Sequence, residues 1–290
     1  MAHIYVTPDD RLQKIFDEAK PGSVIHLSPG GSRQKVMIRT PDLTILGSGR
    51  EKTRSVVGDY ARKRGTDGFE YITFRSYTLA VCADGITMRD LSVCNDAGDP
   101  KEKGQQVALS VCGDGFTMVD CILSSTQDTL FAGPLPEDLI ERYEGFLEDG
   151  LRRGGQMKQV FRNCIIAGSV DFIFGCGAAI FEDCEIRSVY DAGRTGFTAA
   201  PAHEKWRQEG FLFRNCSFTA EETVQQGSVY LARPWRDYGI ARFENCSYGP
   251  HITPVGFDKW NDTDRDQTAR FFETPSVPGR VSWVNRKEAR

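Results

Sequence analysis

Two aspartates at matched positions of a repeat are the residues best suited to chemistry. Asp128 and Asp171 each lie eight residues after an Asp or Asn that recurs along the chain, Asp120 and Asn163. If each repeat forms one coil of a solenoid, equal offsets place the two carboxyl groups one above the other. At about 5 Å their charges would repel by roughly 3 kcal/mol at an effective dielectric near 20. One carboxyl would then stay ionised while the other keeps its proton, as in a nucleophile beside a general acid.

The same count applies to a third acid, so the offset alone does not establish a catalytic pair. Asp191 lies eight residues after Asp183. Aspartates that merely cap turns would show the same spacing, and this remains the alternative interpretation. An acid set among apolar neighbours, as in the segment 170–175, is costly to bury unless it is paired.

Neutral amides and a late arginine would supply the remaining roles of such a site. Gln105 and Gln127 lie 22 residues apart, about one coil, and are amide donors suited to an oxyanion. Arg233 offers a planar fork able to hold an aspartate ionised. Trp235, two residues later, offers a face on which a sugar ring could stack. Taken singly, these residues have ordinary explanations as surface amides, a solvated arginine and a packing tryptophan.

The elements that must position these residues are indicated by an internal repeat. The segment VCADGITMRD at 81–90 is repeated as VCGDGFTMVD at 111–120. Short β-branched and aromatic runs recur at steps of 20 to 32 residues, with one step of 43, and such steps are too short for βαβ units and too long for hairpins. They predict the coils of a parallel β-helix, in which like residues stack along the axis. The recurring Asn or Asp, here called the Asn/Asp ladder, is found at Asp90, Asp120, Asn163, Asp183, Asn215 and Asn245.

Five of the nine cysteines directly follow a ladder residue, and no CxxC pair occurs, so no zinc site is predicted. Those that follow a ladder residue predict an interior column of thiols, which pack as small apolar groups. We therefore expect unpaired, buried thiols and a reducing compartment. The ladder positions of Asn215 and Asn245 also argue against glycosylation at these two sequons. The ladder cysteines are Cys121, Cys164, Cys184, Cys216 and Cys246.

Two segments interrupt the repeat. At about residues 7–20, Asp9 and Asp10 precede apolar residues at helical spacing, which predicts a capping helix with acids in its first turn. Within about 134–158, apolar residues at helical spacing predict an inserted helix of two to four turns. We expect residues 1–290 to form one β-helix domain that ends in a C-terminal tail at about 251–290.

Five motifs resemble those of the pectin methylesterase family. They occur in the family's order between about residues 20 and 250. The combination of QDTL, DFIFG and a late RPW is highly specific, whereas each motif alone would be modest. The motifs are TFRS at 73–76, QQVAL at 105–109, QDTL at 127–130, DFIFG at 171–175 and LARPW at 231–235.

The resemblance implies a right-handed parallel β-helix of the all-β class. It also implies an enzyme that removes methyl esters from galacturonate units of pectin or oligogalacturonides and releases methanol, with no metal or other cofactor. Carried over by position, the implied site consists of the nucleophile Asp171, the acid/base Asp128, the oxyanion donors Gln105 and Gln127, the nucleophile's partner Arg233, and the substrate-contacting aromatics Trp235 and Phe172.

The sequence departs from the family pattern in three places. The early G-x-Y-x-E element is replaced by GGSRQKV at 30–36, and Tyr77 stands where Ala is common. The 134–158 insertion is longer than the usual loop. We hypothesise that it walls one end of the substrate groove and shifts preference to short oligogalacturonides. A stabilising role or an oligomer contact is the alternative.

Composition disfavours several other classes of protein. A formal charge of −4 supplies no general attraction to nucleic acid or anionic lipid, so neither is expected as a partner. No apolar run approaches the ~18 residues that a membrane span needs. The start of the chain shows no apolar signal core. This favours a cytoplasmic protein, and an extracellular location stays open if a signal was trimmed.

Three rival functions remain on sequence grounds. A solenoid polysaccharide lyase or hydrolase would need a calcium-binding acid cluster or a trio of acids, and Asp191 is the one hint of the latter. An esterase for another substrate, such as a thioester, would share the same residues. A non-catalytic carbohydrate-binding solenoid is disfavoured because its buried charges would only cost stability. Serine hydrolase chemistry is poorly supported, since no G-x-S-x-G occurs.

Overall fold

Short strands joined by sharp turns wind into three parallel sheets. The computed structural model describes residues 2–285. The strands in chain order are β1 (His3–Val6), β2 (Val24–Leu27), β3 (Gly30–Ser32), β4 (Val36–Ile38), β5 (Thr44–Leu46), β6 (Thr53–Val57), β7 (Leu79–Val81), β8 (Thr87–Arg89), β9 (Ser92–Asn95), β10 (Leu109–Val111), β11 (Phe116–Val119), β12 (Ile122–Ser124), β13 (Leu130–Ala132), β14 (Lys158–Arg162), β15 (Ile165–Gly168), β16 (Val170–Gly175), β17 (Ala178–Glu182), β18 (Glu185–Ser188), β19 (Gly196–Pro201), β20 (Phe211–Arg214), β21 (Ser217–Ala220), β22 (Val229–Ala232), β23 (Ile240–Glu244), β24 (Ser247–Tyr248) and β25 (Arg270–Thr274).

Each central coil gives one strand to each sheet, as β11, β12 and β13 do before β14 returns to the first sheet. The sheets have ten, eight and seven strands. This is the right-handed parallel β-helix predicted from the repeat and the resemblance, so the fold prediction is confirmed. The helices are short: α1 (Leu12–Glu18), α2 (Pro100–Lys103) and α3 (Glu137–Arg142), with 3-10 turns at Thr73–Arg75 and Arg265–Gln267.

The Asn/Asp ladder forms the turn between the ten-stranded and eight-stranded sheets. All six ladder residues adopt left-handed backbone angles, with φ between 51° and 58°. Asn and Asp tolerate this region better than other residues with a side chain. Neighbouring rungs also bond, since Asn163 Nδ2 donates to Asp120 Oδ1 at 2.6 Å. The turn conformation therefore explains why the ladder admits these two residue types.

Aromatic rings and thiols fill the interior in columns. Phe161, Phe181, Phe213 and Phe243 stack with ring centroids 4.7 to 5.0 Å apart, close to the strand spacing. The nine cysteines are free, and all are buried except the half-buried Cys246. The prediction of unpaired, largely buried thiols is therefore confirmed.

The N-terminal helix starts later than the acids suggested. Asp9 and Asp10 both precede α1, and no acid lies in its first turn. Asp10 instead accepts hydrogen bonds from the Thr7 backbone and hydroxyl, at 2.7 and 2.8 Å. The apolar stripe was predicted correctly, because Leu12 and Phe16 are buried in the main core.

The inserted helix is shorter than the predicted two to four turns. α3 covers six residues and is followed by turns that include Gly145, whose φ of 72° is outside the helical region. The apolar residues beyond it are still buried: Leu147 and Leu151 join a second core cluster on the outer face of the seven-stranded sheet. Hydrophobic spacing thus located the buried residues but not the end of the helix, which lies at Arg142.

The C-terminal region adds a strand to the solenoid. Within the expected tail at 251–290, β25 pairs in parallel with β23. Trp283 packs on Phe271 with ring centroids 5.4 Å apart, and residues 286–290 lie outside the described part of the chain. Between residues 2 and 285, no helix has the length and apolar character needed to cross a membrane.

Candidate active site

A pocket of about 480 Å³ opens on the outer face of the seven-stranded sheet. This volume lies in the usual range for small-ligand sites. It brings together six of the seven residues expected at the site. Its lining consists of Thr73, Phe74, Gln105, Gln127, Asp128, Leu139, Arg142, Tyr143, Asp171, Phe174, Ala200, Arg233, Trp235, Arg236 and Trp260.

Strand register places the two aspartates side by side. Leu130 of β13 pairs with Ile173 of β16, and each lies two residues after one of the aspartates. The Asp128 amide also donates to the Val170 carbonyl at 3.1 Å. Both aspartates are buried and both have left-handed φ angles, 64° for Asp128 and 48° for Asp171. Such conformations cost about 1–3 kcal/mol each and cluster at functional sites.

Asp171 is held by a bidentate ion pair. Arg233 Nε and Nη2 donate to its two carboxylate oxygens at 2.8 and 2.6 Å. The guanidinium is itself fixed between two rings, with Cζ 3.7 Å from the Phe197 centroid and 4.1 Å from that of Trp260. Burial raises the pKa of Asp171, and the ion pair with Arg233 opposes that shift. The arginine therefore favours the charged form of this carboxyl.

Among residues 2–285, no lysine or arginine forms an ion pair with Asp128, although the charges of Arg233 and Arg194 lower its pKa. Burial, and then the negative charge of Asp171, raise its pKa well above the usual range for an aspartate. The pair is consequently unequal: the surroundings favour the protonated form of Asp128 more strongly, while Arg233 favours the charged form of Asp171.

The two amides line the pocket one coil apart. The Gln106 backbone amide donates to the Gln127 carbonyl at 3.0 Å, which fixes the adjacent coils to each other. The orientation of the Gln127 side chain follows from a neighbour, because Arg194 Nη2 lies 3.3 Å from Gln127 Oε1. A guanidinium only donates, so the amide oxygen faces Arg194 and the NH₂ group faces the pocket, where its hydrogen bond to Asp128 lowers the pKa of that carboxyl in part.

The third acid with the eight-residue offset does not line this pocket. Asp191 Oδ2 accepts from Arg194 Nη2 at 2.6 Å and from the Ser169 hydroxyl at 2.8 Å. Its buried carboxylate thus anchors the arginine that orients Gln127. Sequence spacing found this residue without revealing its place in the network.

One aromatic assignment was wrong. Phe172 is fully buried in the interior core and cannot contact a substrate. The left-handed angle at Asp171 and the register shift between Val170 and Ile173 disturb simple alternation, so Phe172 and Ile173 both point inward. The segment instead presents Phe174 to the pocket, where it meets Trp235 edge-on at 5.9 Å.

Several lining residues were missed. Phe74 lies within the TFRS motif, which could have drawn attention to it. Trp260 comes from a distant C-terminal loop, and no sequence pattern pointed to it. The insertion supplies Leu139, Arg142 and Tyr143, whose spacing indicated only a helix.

The insertion is tied to the far wall of the pocket. Arg236, next to Trp235, donates to both oxygens of Asp138 on α3, with Nη2 3.0 Å from Oδ2. Tyr143 packs on Phe74 with ring centroids 5.8 Å apart. Among residues 2–285, no group of three or more His, Cys, Asp or Glu is arranged to hold a metal ion.

Comparison with known proteins gives a consistent result. The family model described as Pectinesterase matches residues 3–134 and 148–287. Pectinesterase QRT1 of Arabidopsis thaliana is 30% identical over 295 residues, which cover 96% of this chain and 69% of that protein. Pectin methylesterase from carrot has the same fold, with a TM-score of 0.81 and 25% identity, covering 99% of this chain and 89% of that one.

Some relatives are much longer than this chain. Probable pectinesterase/pectinesterase inhibitor 13 of Arabidopsis thaliana is 27% identical over 98% of this chain and only 45% of its own length. The chain therefore spans about half the length of such relatives.

Proposed function

The chain belongs to the pectinesterase family, and from that membership we propose that it hydrolyses methyl esters of galacturonate units in pectin or oligogalacturonides and releases methanol. The observation that carries this proposal is the unequal pair of aspartates. Asp171 is paired with Arg233, whereas the pKa of its neighbour Asp128 is raised well above the usual range.

The first half of the reaction forms an acyl-enzyme. The Asp171 carboxylate attacks the ester carbonyl carbon, and the amide groups of Gln105 and Gln127 donate to the oxyanion that develops. Protonated Asp128 gives its proton to the departing methoxy oxygen, so methanol leaves. One carboxylate oxygen of Asp171 is then joined to the substrate acyl carbon as an anhydride.

The second half regenerates the enzyme. Asp128, now ionised, takes a proton from a water molecule that attacks the acyl carbon. The bond to Asp171 breaks, the product leaves as a galacturonic acid unit that gives its remaining proton to solvent, and Arg233 again pairs with the Asp171 carboxylate. Asp128 therefore loses its proton in the first half of the reaction and regains one in the second, while Asp171 begins and ends the cycle ionised.

Replacing Asp171 by Asn tests the assignment of the nucleophile. We expect methanol release from methylated pectin to fall by about 10⁴-fold or more, because the amide of Asn cannot replace the carboxylate as nucleophile. The control is Asp183→Asn, an exchange between the two residue types that already occupy the ladder, which should leave turnover unchanged. Circular dichroism checks folding of both variants, and near-normal turnover of folded Asp171→Asn would overturn the assignment.

We also propose that the insertion shortens the groove and favours short oligogalacturonides. Support comes from Leu139 and Tyr143, which lie in the pocket lining, and from the Arg236–Asp138 ion pair that fastens α3. The free thiols are compatible with a reducing compartment, in which the enzyme would meet imported fragments. Turnover should be higher on a methylated trimer than on high-molecular-weight pectin, and strong preference for the polymer would contradict this proposal.

A further inference from the structure

A second pocket, of about 540 Å³, lies outside the catalytic site. Its lining includes residues at or just after the ends of β9, β12, β18 and β21, where the chain leaves the eight-stranded sheet. Between these coils, the turn after β15 is the single residue Ser169, whereas residues 96–108 and 189–195 form longer connections. The short turn between two longer connections leaves a recess in the wall of the solenoid.

Neighbouring residues of the chain line the two pockets. Gln105 and Gln127 line the catalytic pocket. Gln106 and Thr126, directly beside them in the sequence, line the second pocket. The second lining also includes Asp191, whose ion pair holds the arginine that faces Gln127. Both pockets therefore adjoin the same two segments, and a ligand in the second pocket does not meet the reacting ester.

The lining of the second pocket is acidic and contains no lysine, arginine or histidine. From outside the lining, Arg33 pairs with Asp96 at 2.6 Å. Arg194 pairs with Asp191, also at 2.6 Å. These two arginines compensate half of the acidic charge. The four carboxylates of the lining belong to Asp96, Asp99, Asp191 and Glu221.

Two carboxylates of this lining remain without a cation. Asp99 accepts a hydrogen bond from the backbone amide of Lys101 at 2.9 Å. Glu221 accepts one from the backbone amide of Tyr190, also at 2.9 Å. Between residues 2 and 285, no lysine or arginine forms an ion pair with either carboxylate. The two negative charges therefore attract a cation from solution.

Two acceptors in the lining have no hydrogen-bond partner among the described residues. They are Gln106 Oε1 and Asp191 Oδ1, on residues that are 1% and 8% exposed. The Gln106 amide is fixed because its Nε2 donates to the Gly98 carbonyl at 2.8 Å, which leaves the oxygen as the free group. A buried acceptor without a partner is costly, and a ligand that donates to it removes this cost.

These features select the chemistry of the ligand. An ammonium group carries a positive charge and three N–H donors and has no acceptor, so it matches both the free acceptors and the unpaired carboxylates. The carboxylate of a galacturonate unit would be repelled. In the chain from residue 2 to 285, no group of three or more His, Cys, Asp or Glu is arranged for a metal ion. Tyr190, which is 52% exposed, offers its ring to an organic cation.

We propose that the second pocket binds a small organic cation that carries ammonium groups, such as a diamine. The volume of about 540 Å³ is in the usual range for small-ligand sites. Asp99 and Glu221 attract the cation, and its N–H groups donate to Gln106 and Asp191. The inference goes beyond the proposed function and does not depend on it, because no residue of this lining is assigned a step in ester hydrolysis.

Calorimetry with putrescine as the probe tests the site. We expect saturable binding to the wild type, and Glu221→Gln should raise the Kd about fivefold or more, since it removes one of the two unpaired charges. The matched control is Glu222→Gln. This neighbouring residue is exposed and lies outside the lining, so the same loss of charge should leave the Kd unchanged. Equal increases in Kd for the two variants would overturn the inference, as would the absence of saturable binding to the wild type.

Three further variants test the contacts separately. Tyr190→Ala should raise the Kd about two- to fivefold, the usual range for a cation over an exposed ring, and Tyr190→Phe should bind as the wild type does. Asp99→Asn removes the other unpaired charge, keeps a residue suited to the N-cap of α2, and should also raise the Kd. Circular dichroism checks folding, and wild-type Kd values for both Tyr190→Ala and Asp99→Asn would contradict the proposed site.

Two competition titrations test the class of ligand. Magnesium chloride supplies a compact cation that gives up its water reluctantly, and galactose supplies a neutral sugar. Neither should displace putrescine at constant ionic strength. Displacement by magnesium would mean that the pocket attracts any cation, and displacement by galactose would mean that it binds neutral sugars. Either result would overturn the assignment to an organic cation.

Discussion

In both the interior of the solenoid and the pocket on its outer face, successive coils place like side chains next to each other. The contacts stabilise the fold in the interior and destabilise it in the pocket. Inside, Phe181, Phe213 and Phe243 stack with ring centroids 4.7 and 4.9 Å apart, and each ring gains from the next. Outside, Asp128 and Asp171 occupy equivalent positions, where burial and repulsion raise the pKa of Asp128. Coil repetition aligns like residues whatever their chemistry. The interior must therefore supply the stability that a costly pair of buried acids requires.

The largest expected effect is a loss of stability when the column of stacked phenylalanines is interrupted. Phe213→Ala removes a fully buried ring from the middle of the column. We expect the free energy of unfolding to fall by about 3–5 kcal/mol, the usual loss for a buried Phe. Urea denaturation measures this change, and kcat of the protein that remains folded should be close to that of the wild type.

An exposed phenylalanine provides the matched control for this loss. Phe69 is 63% exposed and makes one edge-on ring contact with Phe146. Phe69→Ala should cost less than about 1 kcal/mol. Similar losses for the two variants would show that the column is not the main source of stability.

Sequence spacing predicted the parts of both regions that depend on coil register. The Asn/Asp ladder and the equal offsets of Asp128 and Asp171 were visible because parallel coils repeat positions faithfully. Register could not reveal local departures from the repeat. The left-handed backbone at Asp171 turned Phe172 inward and Phe174 outward, and the inserted helix ends at Arg142, before the turns that contain Gly145. Trp260 reaches the pocket from a distant loop that has no counterpart in the repeat.

In the pocket, Arg194 holds the side chain of Gln127 in one orientation. Arg194→Met removes the group that faces Gln127 Oε1, so the amide is free to rotate away from the oxyanion. We expect kcat for methanol release to fall by about 10–100-fold with little change in KM. This is less than the 10²–10³-fold loss typical of deleting an oxyanion donor, because the amide itself remains.

A double-mutant cycle distinguishes positioning from a general effect. Once Gln127 is replaced by Ala, Arg194→Met should cause little further loss, because its action passes through that amide. The control is Arg187→Met, which removes an arginine paired with Glu185 on β18, and its kcat should match the wild type. An equal loss from Arg194→Met in the presence and absence of Gln127 would contradict the positioning role.

The smallest expected effect is a gain in stability when Asp128 is replaced by Asn. The raised pKa means that the folded protein binds this proton more tightly than the unfolded chain does. The stability contributed by this group is therefore complete below about pH 3.9, its pKa when unfolded, and is lost as pH rises through the folded pKa. Asn resembles the protonated acid and does not ionise, so the variant avoids this loss.

The gain should therefore have a distinctive pH profile. It should be near zero below about pH 3.9, increase by about 1.4 kcal/mol per pH unit, and level off at the pKa of Asp128 in the folded protein. Single stabilising substitutions commonly raise the free energy of unfolding by about 0.5–2 kcal/mol. Urea denaturation at a series of pH values measures the profile, with Asp183→Asn as a surface control expected to show little change. A variant less stable than the wild type at neutral pH would mean that the buried carboxyl stabilises the coil, and the contrast between interior and pocket would be lost.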